Sequence, residues 1–95
     1  LGTLLGGAIG EQLDEDERLR ALTAAQSAAE YQTGTAITWR SDSHPDVRGS
    51  ATPVAAPYYA DGTLCRRIRE VVFTPDGEAT QESDLCRRNG RWLPA

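Results

Sequence analysis

The 95-residue chain has no methionine and no lysine, one histidine (His44), one phenylalanine and two cysteines. Its ten basic residues are all arginine, and fourteen acids bring the net charge to −4. An acidic balance argues against nucleic-acid binding, because such domains present a basic surface. The absence of lysine, beside abundant alanine and glycine, is read as genomic composition. No apolar run approaches the roughly 20 residues that cross a bilayer as a helix. There is no initiator methionine and no signal peptide. The chain opens at Leu1 inside an apolar pattern, so an anchor or targeting segment is expected upstream.

Chemistry-bearing residues are equally sparse. His44 is the one side chain suited to act as a base at neutral pH, and it sits in Ser41-Asp42-Ser43-His44-Pro45-Asp46, a loop by local composition. Asp42, His44 and Asp46 offer a loose metal set, but a solvent loop is the preferred reading. No serine lies in a nucleophile elbow. No catalytic residue, cofactor or metal is assigned, and the chain is expected not to be an enzyme.

What is present divides into three parts. In residues 1–10, Gly2, Gly6 and Gly10 recur at helical spacing, with Leu5 and Ile9 on an adjacent stripe. Such spacing makes a smooth face for close backbone packing, a glycine zipper. Ten helical residues cover about 15 Å, half of a bilayer core, so this reads as the end of a membrane or packing segment; a flexible linker is the alternative. Residues 11–33 read as an amphipathic helix. Acids crowd its start, where the helix dipole favours negative charge, and Asp14 with Glu17 makes a capping box. Leu19, Leu22, Ala25 and Ala29 form its expected buried face, and Gly34 its stop.

Residues 34–95 carry strand and turn signals. Strands are expected over 35–40, 49–60, 64–73, 78–88 and 91–93, with Pro53 and Pro57 confining the second to an edge or to irregular pairing. Asp61-Gly62, Thr74-Pro75-Asp76-Gly77 and Asn89-Gly90 supply the turns. Folding the central hairpin about Pro75-Asp76 places Cys65 opposite Cys86, Arg67 opposite Asp84 and Arg69 opposite Glu82. A bulge at Gly77 would shift that register by one residue. Asn89-Gly90 sets Arg87 opposite Trp92, where a guanidinium can cover the ring. The cysteines are read as a disulfide, because zinc takes about four ligands and small exported domains use such staples; free thiols are the other option. The expected fold is α+β: one N-terminal helix, then an antiparallel meander of four to five strands stapled by Cys65–Cys86.

Two further surfaces are considered. Arg66, Arg67, Arg87 and Arg88 suggest an anion patch, though nearby acids neutralise it. Trp39, Tyr58, Tyr59 and Trp92, with Arg67 and Arg87, form a candidate partner or ligand surface, although the preferred reading of Tyr31, Trp39, Tyr58 and Tyr59 is as the core itself.

The order of motifs carries a resemblance. A Gly-x-x-x-Gly segment, an acidic helix, Trp39, Gly49-Ser50-Ala51-Thr52-Pro53, Asp61-Gly62-Thr63-Leu64-Cys65-Arg66 and Cys86-Arg87-Arg88-Asn89-Gly90-Arg91-Trp92 follow in sequence. This resembles the rickettsial seventeen-kilodalton surface antigen family of outer-membrane lipoproteins. The resemblance implies a diderm envelope, a lipid anchor before Leu1 and no enzymatic activity. The expectation is therefore an accessory interaction module of an envelope assembly in the outer membrane or periplasm. It would contact the membrane through and before residues 1–10, or self-associate through the zipper. The alternative is an envelope lipoprotein that recognises peptidoglycan, glycan or lipid.

Overall fold

The computed structural model describes residues 10–95. Gly2, Leu5, Gly6 and Ile9 of the expected zipper lie outside the described residues. Within them, Gly10 is buried, and its carbonyl accepts from Arg18 Nε at 2.7 Å. The elements are α1 (Glu15–Ala28), β1 (Ile37–Arg40), β2 (Arg48–Pro53), β3 (Tyr58–Ala60), β4 (Thr63–Thr74), β5 (Gly77–Arg88) and β6 (Arg91–Pro94). No helix among the described residues is long and apolar enough to cross a membrane.

All strand pairings are antiparallel, in the order β1-β2-β4-β5-β6. The stretch expected as one strand over 49–60 is two. β2 pairs with the Ile68–Phe73 part of β4, and β3 pairs with its Thr63–Cys65 part. Pro53 closes β2 and Pro57 precedes β3, so neither proline sits where a central strand would need its missing N–H.

The central hairpin has the expected register, with Cys65↔Cys86, Arg67↔Asp84 and Arg69↔Glu82, and no bulge intervenes at Gly77. Cys65 and Cys86 are disulfide-bonded, their Cα atoms 4.0 Å apart. Both are buried, flanked in register by Tyr58 and Leu93. Arg67 bonds Glu82 at 3.1 Å and Asp84 at 3.2 Å, and Arg69 bonds Glu82 at 3.1 Å. Asp61-Gly62 and Asn89-Gly90 each place two consecutive residues at positive φ, the backbone of a type I′ hairpin turn. Arg87 faces Trp92 as expected, but the cation–π contact found among the described residues is Arg48 over Phe73, 4.3 Å from the ring centroid.

Helix α1 is shorter than the expected span of 11–33. Asp14 is its N-cap, and the capping box with Glu17 is complete. Beyond Ala28 the chain tightens through short turns, and Gly34 N donates to Pro53 O at 2.9 Å, on the way to β1. The buried face is corrected in part. Ala25 and Ala29 are buried as expected, but their companions are Glu17, Ala21, Ala24 and Ala28; Leu22 is half-buried and Leu19 is 61% exposed. The reason is size. The sheet fills the interface with Trp39, Trp92, Ile68 and Leu85, so the helix approaches it on alanine. Trp39 in turn lies on Gly49, its partner across the strand pair. A Cβ there would stand 2.7 Å from the indole ring and 2.6 Å from Val71 O.

Candidate interaction groove and the His44 cluster

β1 ends the sheet, so one of its edges is unpaired among the described residues. Ser41 N donates to Val47 O at 3.0 Å, continuing the β1–β2 ladder. Antiparallel alternation then points the backbone groups of Thr38 and Arg40 away from β2, towards the free edge. Helix α1 runs alongside. Between them lies a groove of about 390 Å³, walled by Leu19, Thr23 and Ala24 on the helix and by Ile37, Thr38 and Trp39 on the strand. Its charged end holds Arg40 and Arg20; Arg20 is tied to Asp16 at 2.7 Å and Asp42 at 2.6 Å. The leucine that helical spacing assigned to the core thus stands in the wall of an open groove.

His44 lies in the expected loop, but its neighbours differ from the sequence reading. Asp42 pairs with Arg20. His44 Nδ1 lies 3.0 Å from Glu17 Oε2 and 3.6 Å from Asp14 Oδ2. Ser43 Oγ donates to Asp14 Oδ2 at 2.9 Å, and Ser41 Oγ donates to Glu17 Oε2. Burial opposes ionisation of Glu17, yet the hydrogen bonds from Ser41, the Asp14 amide and His44 outweigh it and hold the carboxyl below its ordinary value. The Glu17 amide, then Ser43, do the same for Asp14. A cleft of about 300 Å³ opens beside the cluster, bounded by Gln12, Asp46, Thr74 and Asp76.

The candidate surface residues separate. Trp39 and Trp92 are core, 7% and 5% exposed, so neither stands on a partner surface; the core reading holds for Trp39 and fails for the tyrosines. Tyr58 and Tyr59 are exposed on β3, at 41% and 75%. Partial burial, then the Asp84 carboxylate, raise the Tyr58 phenol above its ordinary value. Arg67 is locked to its acids, and Arg87 is exposed. Arg66 belongs to no anion patch. It is buried and donates to Ala29 O at 3.0 Å, Tyr31 O, Ala55 O at 3.0 Å and Thr33 Oγ1 at 3.0 Å. The last turn of α1 has no basic residue of its own, and Arg66 brings the cation that the negative helix end favours.

Sequence reasoning also passed over Glu70. It is 1% exposed, and neither carboxylate oxygen has a hydrogen-bond partner among the described residues. Burial pushes its pKa up to about 8. Its signal was strand parity: Arg66, Ile68, Glu70 and Val72 alternate with Arg67, Arg69 and Val71 along β4. Two apolar members of the first set mark the inner face, and the two charged members go in with them. Compared with known proteins, the chain matches no family model, no curated protein and no solved structure.

Proposed function

We propose that this domain is a non-enzymatic accessory interaction module of a bacterial envelope assembly, and that it receives an extended segment of a partner protein along the free edge of β1. The observation that carries the reading is the groove between α1 and β1. Unpaired strand edges bind extended chains by strand addition, with neighbouring pockets selecting side chains. Leu19 and Ile37 offer apolar contacts there, and Arg40 offers a cation to an acidic group on the partner.

The disulfide supports an exported domain, since such bonds persist in oxidising compartments. The motif order resembling the rickettsial surface antigens supports placement in the outer membrane or periplasm, with a lipid anchor upstream. The spacing of Gly2, Gly6 and Gly10 supports membrane contact or self-association next to the module.

The test is site-specific photocrosslinking in bacterial cells carrying the full-length protein. A crosslinker at Leu19 or Thr38 is expected to give a discrete adduct with a second protein, and one at Thr80, exposed on β5, is expected to give none. Adduct formation should fall when Thr38→Pro removes an edge donor. Absence of any adduct from the groove, or equal adducts from Thr80, would overturn the reading.

A further inference from the structure

We propose that Asp14, Glu17 and His44 form a binding site for a divalent transition-metal ion of the zinc class. The sequence reading took the acids at the helix start and the histidine loop separately, each as a solvated feature, and assigned no metal. The fold brings them together. One ligand atom from each lies within 4.8 Å of the others.

The geometry suits an ion. Two donors about 2.0–2.1 Å from one zinc, at tetrahedral or square angles, stand about 2.9–3.4 Å apart. The Nδ1 to Oε2 separation is 3.0 Å and the Nδ1 to Oδ2 separation 3.6 Å, so both carboxylates stand at or near that spacing from the imidazole nitrogen. The orientation is built in. Asp14 Oδ1 accepts from Glu17 N at 2.8 Å, and Glu17 Oε1 accepts from Asp14 N at 2.9 Å. The capping box therefore uses one oxygen of each carboxylate and turns the other towards His44. Ser41 and Ser43 donate to those second oxygens, as hydroxyl donors do beside ligating carboxylates, and Ser43 Oγ also lies 3.1 Å from His44 Nδ1.

A second observation is the cleft of about 300 Å³ that opens at His44. It gives water access to the remaining coordination positions, as in three-ligand zinc sites. Two carboxylates balance the charge of a dication, and Asp46 and Asp76 on the cleft add negative potential. The positive end of the α1 dipole opposes the ion, which places the site among the weaker, exchangeable ones. The imidazole selects the metal: nitrogen with carboxylate oxygen suits zinc, nickel or manganese, whereas calcium and magnesium prefer oxygen alone.

Calorimetric titration of the purified, oxidised protein with zinc chloride at neutral pH tests the site. One ion is expected to bind, and saturating zinc should raise the melting temperature. His44→Ala should weaken binding at least tenfold and abolish the melting shift. Asp14→Asn, which keeps an N-cap residue, should also weaken it, and Asp42→Asn should not. Far-UV circular dichroism establishes that each variant is folded, and the His44 imidazole resonances should move on zinc addition in the wild type. No zinc binding, zinc binding indifferent to His44→Ala, or calcium binding as tightly as zinc would each overturn the proposal.

Discussion

The two faces of β4 treat charge in opposite ways. On the outer face Arg67 and Arg69 are exposed and share Glu82 and Asp84 in a chain of ion pairs. On the inner face Arg66 and Glu70 are buried one turn of the pleat apart, on either side of Ile68. Arg66 meets four acceptors there, and Glu70 meets none. Adjacent positions of one strand thus hold charges that contribute little, one that anchors a helix, and one that opposes the fold. Exposed pairs gain little because water already solvates each partner. A buried ion is worth what its partners return for lost hydration.

That contrast can be broken from its strongest member downwards. Arg66→Met keeps most of the side-chain volume but strips the end of α1 of its donor, and it should destabilise the domain by roughly 3–5 kcal/mol, because several acceptors lose their donor at about 1–3 kcal/mol each; chemical denaturation measures this. Glu70 acts through pH. Its folded pKa of about 8 lies above the unfolded value, so the unfolded chain ionises first. Stability is fully present below the unfolded value of about 4.3 and is lost as pH rises towards 8. Glu70→Gln should remove that decline, gaining on the order of 4 kcal/mol above pH 8 and little at pH 4. Asp14, Glu17 and Glu82 have the opposite sign: their pKa values are lowered, so their contribution is lost in acid, below their ordinary range. Wild-type stability should therefore peak near pH 5 and lose its alkaline slope in Glu70→Gln.

The disulfide comes next. Its sequence separation is 21, and opening that loop should cost about 3 kcal/mol in the chain-entropy account. The double variant Cys65→Ala, Cys86→Ala should melt lower than the oxidised wild type, while a reductant should shift only the wild type. The outer-face pairs give the smallest effect. Arg67→Ala should change stability by about 0–1 kcal/mol, and less in high salt. An effect as large as that of Arg66→Met would erase the distinction between the faces.

How much of this was legible depends on the reach of each interaction. The hairpin register, both type I′ turns, the capping box and the cross-strand arginine–acid pairs follow from residues close in sequence or reflected through a short turn. Strand parity also held the inner position of Glu70, although its significance appears only once the face is covered. Leu19 is the instructive failure. Helical spacing placed it in the core, but a sheet already filled by two tryptophans is met by the alanine-rich face of the helix instead. The His44 cluster was illegible for a different reason: loop 41–46 carries no signal about which helix end it will meet.

By itself the sequence determined an α+β domain with one capped helix, an antiparallel sheet, a staple and its register, because turn geometry and side-chain alternation act locally. Tertiary structure alone decided which face of α1 is buried, that Arg66 caps a helix it is remote from, and, among the described residues, that Glu70 lacks a partner and that β1 lies open beside Leu19. It also brought the single histidine to two carboxylates. These outcomes depend on the volumes and distances at which separate elements meet, quantities defined only after the helix lies on the sheet.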